Sequence, residues 1–113
     1  MQEDSVNLRE ISASAAGREG VIWTLRESGE LNANLVRFEA GGGVGEHVNE
    51  ELDVIVVGVS GSGSVQVDGR ELPVSEGAII FIPRGARRST LASSGDFTYL
   101  SVHRRRGPLQ IGG

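Results

Sequence analysis

His47 is the titratable residue whose neighbours in sequence are best suited to metal binding or proton transfer. It lies in the stretch "GVGEHVNEELD", residues 43–53, just ahead of an apolar run, with acidic residues on both sides. Imidazole and carboxylate groups together can bind a transition metal or transfer protons. A metal site would need a second imidazole near His47, and Asn49 stands two positions later. The spacing therefore raises the question of a metal centre without answering it.

Composition excludes several kinds of site and partner. The 113 residues contain no cysteine and every basic residue is arginine, so thiolate ligands, disulfides and Schiff-base lysines are excluded. The net charge of −4 argues against nucleic acid as a partner. No apolar run approaches the ~20 residues that cross a bilayer, and Met1–Gly20 lacks the pattern of a signal peptide. We expect a soluble cytoplasmic protein with no membrane partner.

Short apolar runs separated by glycine-rich turns predict an all-β fold. They recur about every ten residues, as in sandwiches and barrels. Asp68-Gly69 between two such segments predicts a hairpin with a type I′ turn, which needs positive φ at both central residues. The candidate strands are Val21–Leu25, Leu35–Glu39, Val54–Val59, Ser64–Asp68, Ala78–Ile82, Arg88–Leu91 and Phe97–His103.

The length predicts one domain. Residues 21–106 form the predicted barrel, residues 1–20 an arm that is partly flexible or pairs with a second subunit, and residues 107–113 a tail. The runs "VIVV" from Val54 and "AIIFI" from Ala78 are continuous rather than alternating. Continuous apolar runs suit strands that are covered on both faces, so we expect a homodimer.

Two spacings resemble the two sequence motifs of the cupin superfamily. In the first, five residues separate a glycine from His47, and an apolar run leads to a later glycine. In the second, a glycine, a proline and a glycine precede Arg88. The resemblance covers roughly residues 35–103 and is closest to small single-domain bacterial cupins of the RmlC-like type. It implies a double-stranded β-helix, or jelly-roll, barrel. The matching positions are Gly41, His47, Asn49 and Gly61, then Gly77, Pro83, Gly85 and Arg88.

The resemblance also implies a metal site, and this sequence departs from it. The family's ligands are two histidines and a glutamate from the first motif and a histidine from the second. His47 keeps the first histidine ligand, and Asn49 replaces the second. The glutamate position falls on Asp53 or Val54, depending on register. Arg88 replaces the histidine of the second motif. A guanidinium ~5 Å from a divalent cation costs about 6 kcal/mol at an effective dielectric near 20. We therefore expect no metal and no other cofactor.

We interpret the chain as a metal-free cupin that binds a small, anionic molecule in the barrel. The expected ligand-binding residues are His47, Asn49, Asp53 and Arg88, with Arg88 as the anchor for the anionic group. In the structural alternative, Arg88 pairs internally with Asp53 or Glu51 and His47 is an ordinary rim histidine.

Two enzymatic alternatives remain open, and no catalytic residue is assigned. One is a metal-dependent dioxygenase or isomerase that uses His47, a first-motif carboxylate and His103. The other is a metal-independent isomerase or lyase, with His47 as general base and Arg88 stabilising an enolate. Whether the protein is an enzyme stays undecided by its sequence.

Overall fold

Two antiparallel β-sheets face each other and form a jelly-roll barrel, which confirms the predicted all-β fold class. The computed structural model describes residues 5–105. The elements are α1 Leu8–Ser14, β1 Gly20–Thr24, β2 Leu31–Phe38, β3 Gly43–Val48, β4 Val54–Ser60, β5 Ser62–Val67, β6 Arg70–Ser75, β7 Ile79–Ile82, β8 Arg87–Ala92 and β9 Phe97–Arg104. The five-stranded sheet has the order β1-β2-β9-β4-β7, and the four-stranded sheet has the order β3-β8-β5-β6.

Each of the seven predicted strands matches an observed one, and β3 and β6 are additional. Every residue of β3 is exposed, because β3 is the edge strand of the four-stranded sheet. An edge strand without a buried face has no apolar periodicity, so the sequence pattern could not reveal it. Strand β6 contains Pro73, which ordinarily argues against a strand, yet β6 lies at the other edge of the same sheet, where proline is tolerated.

The predicted hairpin turn is confirmed in its geometry. Asp68 has φ +50° and Gly69 has φ +84°, and the turn joins the paired residues Val67 and Arg70. Positive φ at both central positions is the signature of a type I′ turn, whose twist matches that of the flanking strands. Left-handed backbone also explains the glycines of the two motifs. All four have φ between +65° and +89°: Gly41, Gly61, Gly77 and Gly85.

The core lies between the two sheets and is built from one side of each strand. Because side chains alternate along a strand, every second residue of the central strands points inward. Aliphatic side chains dominate this layer, with a tilted contact between the rings of Phe97 and Tyr99 at a centroid distance of 5.4 Å. The buried cluster comprises Val36, Phe38, Val54, Val56, Val65, Val67, Val74, Ile80, Ile82, Ala86, Ala92, Phe97 and Tyr99.

A short helix lies where we expected an arm. The Asn7 side chain caps α1 by accepting a hydrogen bond of 3.0 Å from the backbone N–H of Glu10. The Ser12 hydroxyl lies 2.7 Å from that of Thr98, so this segment packs on its own barrel. Residues 1–4, the predicted tail and the last predicted barrel residue lie outside the described range. No helix within that range is long and apolar enough to cross a membrane.

An apolar block lies on the outer face of the five-stranded sheet. Ile79 and Phe81 of β7 are 68% and 58% exposed, and Ile55 of β4 is directly opposite Phe81. The register adds half-buried Val57, Leu100 and Val102 to this block. The continuous runs therefore have one half in the core and one half on the surface. Coverage of this surface by a second subunit stays a prediction.

We predict that two copies pack through this apolar block about a two-fold axis, which sets the same apolar surface on both sides. The three most exposed residues of the block, Ile79, Phe81 and Ile55, expose 68%, 58% and 40% of their surface. They would form the apolar centre of an interface, whose standard size is about 1,600 Å². Light scattering should give the mass of a dimer, and Phe81→Glu should give that of a monomer. Leu91→Glu, at an exposed position on the other sheet, is the control. A monomeric unsubstituted protein at all concentrations would contradict this prediction.

The hairpin turn supports a second prediction. Gly69→Ala should lower the free energy of unfolding by about 1–2 kcal/mol, because an L side chain is strained at positive φ. Gly29→Ala is the matched control, since a Cβ at either position meets no atom within 4 Å and only Gly69 has positive φ. Chemical denaturation measures both variants. Equal stability of the two would show that the turn tolerates a side chain.

Candidate functional site

A cavity of about 120 Å³ lies inside the barrel, between the two sheets. One part of its wall is aliphatic and the other part carries one guanidinium, one imidazole and three hydroxyl groups. Polar groups converge on an otherwise apolar pocket here, which is the usual composition of a small-molecule site. The lining residues are Val44, His47, Val54, Val56, Ile82, Arg88, Thr90, Tyr99 and Ser101.

Strand alternation places most of these side chains. Arg88 and Thr90 are two residues apart on β8, and Tyr99 and Ser101 are two residues apart on β9. Residues two apart on a strand share a face, so each pair points into the cavity. Arg87 precedes Arg88 on the strand and therefore points to the opposite, outer face. It is exposed there and pairs with Glu46, with 3.1 Å between Arg87 Nε and Glu46 Oε2.

A β-bulge in β3 places His47. Val44 is opposite Thr90 and His47 is opposite Arg88, so β3 advances three residues while β8 advances two. Residues three apart on a regular strand would point to opposite faces, but the extra residue lets both Val44 and His47 line the cavity. Bulges are common beside functional sites, because they redirect a side chain in this way.

His47 and Arg88 are joined by a hydrogen bond. Arg88 Nε donates to His47 Nε2 at 3.0 Å, and His47 Nδ1 lies 2.9 Å from the carbonyl oxygen of Gly45. A guanidinium has no acceptor and a carbonyl has no donor, so Nε2 must accept and Nδ1 must donate. This assigns the neutral Nδ1–H tautomer to the imidazole. Both ring nitrogens are thus occupied, and the Nε2 lone pair is directed at the guanidinium.

The guanidinium of Arg88 has no carboxylate partner in the described part of the chain: no ion pair there includes it. It is half-buried, and burial lowers the pKa of Arg88, an effect that the nearby Tyr99 opposes. Arginine nevertheless stays cationic in proteins at neutral pH. The cavity therefore carries one positive charge with which no carboxylate of residues 5–105 forms an ion pair.

Tyr99 is buried, with 6% of its surface exposed, and is also the one tyrosine of the chain. Burial raises the pKa of its hydroxyl, while a hydrogen bond with the Thr90 side chain and the charge of Arg88 act in the opposite direction. Desolvation penalises the phenolate, so Tyr99 is a neutral hydroxyl at physiological pH. It offers the cavity a hydrogen-bonding group and no charge.

Two of the four predicted ligand-binding residues meet at the cavity, and two do not. His47 and Arg88 line it. Asn49 instead forms a turn, in which its side-chain oxygen accepts from the backbone N–H of Glu51 at 3.0 Å. Asp53 is exposed and accepts from the backbone N–H of Arg84 at 2.9 Å. Because side chains alternate, Val54 points inward and Asp53 points outward, which decides the register that the sequence left open.

The residues present do not fit the metal that the resemblance implies. The position of the glutamate ligand holds the aliphatic Val54, and the lone pair of His47 accepts from a cation. His103, the histidine of the metal-enzyme alternative, is not among the cavity-lining residues, and its Nδ1 lies 2.8 Å from the carbonyl oxygen of Arg104. Across residues 5–105, no three histidine or carboxylate side chains form a group suited to a metal ion. The cavity therefore lacks the set of ligands that a transition metal needs.

Sequence reasoning missed the hydroxyl-bearing residues of the cavity. Thr90, Tyr99 and Ser101 belong to no motif, so their types alone drew no attention. A usable signal existed, because Thr90 lies two residues after Arg88 on a predicted strand and shares its face. Tyr99 and Ser101 likewise alternate within the predicted strand Phe97–His103. Which face of that strand points inward was the missing information.

Arg88 also borders a second, more open depression of about 510 Å³ on the outside of the four-stranded sheet. Its lining is mixed in charge, with carboxylates at Glu46 and Asp68 beside Arg87 and Arg88. We call it the outer groove. Both carboxylates are engaged, Glu46 with the Arg87 guanidinium and Asp68 with the Arg87 backbone N–H at 2.9 Å. The outer groove provides a useful reference for experiments on the cavity.

Comparisons with known proteins agree with this architecture. A family model described as a cupin domain matches residues 34–103. The structure of KdgF from Halomonas sp. is similar, with a TM-score of 0.70 and 23% identity over 75% of this chain and 78% of that chain. BH2720 from Bacillus halodurans has a TM-score of 0.74 and 19% identity over 95% and 85% of the two chains.

A third similar structure is an uncharacterized protein with a double-stranded β-helix domain from Klebsiella pneumoniae. Its TM-score is 0.73 at 15% identity, over 91% of this chain and 90% of that chain. At such identities the similarity shows the fold alone. No protein with a curated function matched this sequence.

The single tyrosine gives a direct spectroscopic test of the cavity. Phenolate absorbance should titrate with a midpoint above the ordinary value of about 10. Arg88→Gln should raise the midpoint further, since the arginine charge favours phenolate, whereas Arg87→Gln should leave it unchanged. The pKa of Tyr99 is higher in the folded than in the unfolded protein, so protonated Tyr99 contributes its full share to the free energy of unfolding below about pH 10. That contribution is lost as pH rises through the folded pKa. A midpoint at or below the ordinary value would contradict the burial of Tyr99.

Proposed function

The chain belongs to the cupin superfamily, and on that premise we propose that it binds a small anionic molecule in the barrel cavity without a metal ion. One observation carries the proposal. Arg88 occupies a cavity wall as a half-buried guanidinium, and no carboxylate within residues 5–105 forms an ion pair with it.

The unbalanced charge favours an anion for a physical reason. A partly desolvated cation loses hydration, and a bound anion compensates that loss through charge-assisted hydrogen bonds, each worth about 1.5–3 kcal/mol. The Arg88 Nε is committed to His47, whereas its terminal nitrogens form no hydrogen bond within the described residues. They are the donors available to a carboxylate or a similar group. Hydroxyls from Thr90, Tyr99 and Ser101 supply further hydrogen-bonding groups around them.

His47 acts as a positioning residue in this proposal. Its Nε2 accepts from Arg88 and its Nδ1 donates to the Gly45 carbonyl, so the imidazole links the guanidinium to the backbone of β3. A side chain held at one nitrogen loses less conformational freedom when the ligand binds. The same geometry disfavours the base role considered for His47, because a general base needs a free lone pair.

Arg88→Gln should weaken acetate binding at least tenfold, since it removes the charge and keeps much of the side-chain volume. The free energy of unfolding should fall by no more than about 1 kcal/mol, because one exposed hydrogen bond to His47 is lost and no protein carboxylate loses a partner. Calorimetric or NMR titration with sodium acetate at constant ionic strength measures the affinity. Arg87→Gln is the matched control, because Arg87 is the adjacent arginine and lines only the outer groove.

Three outcomes would overturn the proposal. If Arg87→Gln weakened acetate binding equally, the anion would bind in the outer groove and not in the cavity. A large loss of stability in Arg88→Gln would mean that the arginine is structural. Stoichiometric iron, manganese, nickel or zinc in the purified protein, lost upon His47→Ala, would favour the metal-dependent enzyme instead.

A further inference from the structure

The guanidinium of Arg88 and the most buried aliphatic side chains of the cavity lie at different depths. His47 is exposed and Arg88 is half-buried, so the two cavity groups joined by the hydrogen bond lie at the mouth. Val54 and Val56 are only 2% and 3% exposed, and Ile82 is equally buried. These three side chains form the floor of the cavity. The cation thus lies toward the outside of the pocket, and these three aliphatic groups lie at its inner end.

This gradient sets the orientation of a ligand. A carboxylate that meets the terminal nitrogens of Arg88 stays near the mouth, where water still reaches it. The rest of the molecule then points toward Val54, Val56 and Ile82, where hydrocarbon is favoured and charge is not. A ligand with a second charge at its inner end would lose hydration without finding a partner.

The volume limits the length of the ligand. A cavity of about 120 Å³ holds the equivalent of roughly four water molecules, taking about 30 Å³ for each. A methylene group is similar in size, so the space admits a tail of two or three carbons beneath the carboxylate. Longer chains would have to displace the close-packed floor, which interiors resist.

We propose that the cavity selects short aliphatic monocarboxylates of three or four carbons, held by Arg88 at the mouth with the tail on the floor formed by Val54, Val56 and Ile82. This inference rests on the proposed function and adds the ligand class to it. The hydroxyls of Thr90, Tyr99 and Ser101 line the wall beside the tail and leave room for a hydroxy or keto substituent on the chain.

A chain-length series tests the proposal. Acetate, propionate, butyrate, hexanoate and octanoate are titrated into the full-length protein at fixed pH and ionic strength, and affinity is measured by calorimetry or NMR. Affinity should rise about threefold to fourfold per methylene from acetate to butyrate, as expected for burial of a CH₂ group. It should fall at least tenfold from butyrate to hexanoate. Butyramide and succinate should both bind at least tenfold more weakly than butyrate.

A variant of the floor provides the sharper test. Val56→Ala enlarges the inner end of the cavity and should move the optimum to a chain one or two carbons longer. Ile82→Val is a milder change with the same expected direction, and it serves if Val56→Ala does not fold. Ile80→Val is the matched control, because Ile80 is a buried residue of the same strand as Ile82 and does not line the cavity.

The outcomes separate the two proposals. If no carboxylate of any length binds, the proposed function itself fails. If carboxylates bind but affinity continues to rise beyond four carbons, or the floor variants leave the optimum unchanged, the anion site stands and the chain-length inference is wrong. Equal binding of butyramide and butyrate would refute the role of the charge in both.

Discussion

The hydrogen bond from Arg88 to His47 is the interaction on which the candidate site depends. It commits the only lone pair of the imidazole to a cation, so the histidine positions the arginine and is withheld from a metal. It also leaves the terminal nitrogens of Arg88 available, without an ion pair to any carboxylate in the described chain. An imidazole at position 88 would reverse each of these roles. One difference in residue type thus places a permanent cation where the family motif has a potential metal ligand.

The same alternation of side chains builds the core and the site. Inward positions of β4, β7 and β9 fill most of the barrel with aliphatic and aromatic groups, and some of these core side chains also line the cavity: Val54, Val56, Ile82 and Tyr99. The strands that form the core therefore also position the side chains of the site. Its aliphatic floor belongs to the hydrophobic core, so a ligand tail would extend that core. The outward positions of β4 and β7 remain apolar, which makes this sheet apolar on both faces.

Local rules predicted much of the fold. The Asp68-Gly69 turn, the seven apolar strands and the motif glycines each follow from backbone preferences of neighbouring residues, which act over a few positions. Strands β3 and β6 and helix α1 were missed. Strand β3 has no buried face, β6 contains Pro73, and the seven residues of α1 are too few for a helical period to stand out. The site was predicted in part. Asn49 lies outside the cavity because its side chain forms a local turn with the backbone N–H of Glu51. Asp53 lies outside it because it points outward and accepts from the backbone N–H of Arg84, a contact distant in sequence that motif spacing does not reveal.

By itself the sequence determined the all-β fold class and the chemistry that the absence of cysteine and lysine excludes. It also determined that an arginine occupies a motif position that would otherwise hold a metal-binding histidine. Only the tertiary structure decided which side chains face one another. The bulge in β3 turns His47 inward, and the pairing of β3 with β8 sets it opposite Arg88. Folding the two sheets together adds Tyr99 and Ser101 from β9. These contacts join residues far apart in sequence, and their geometry depends on strand register, which no short stretch of the chain specifies.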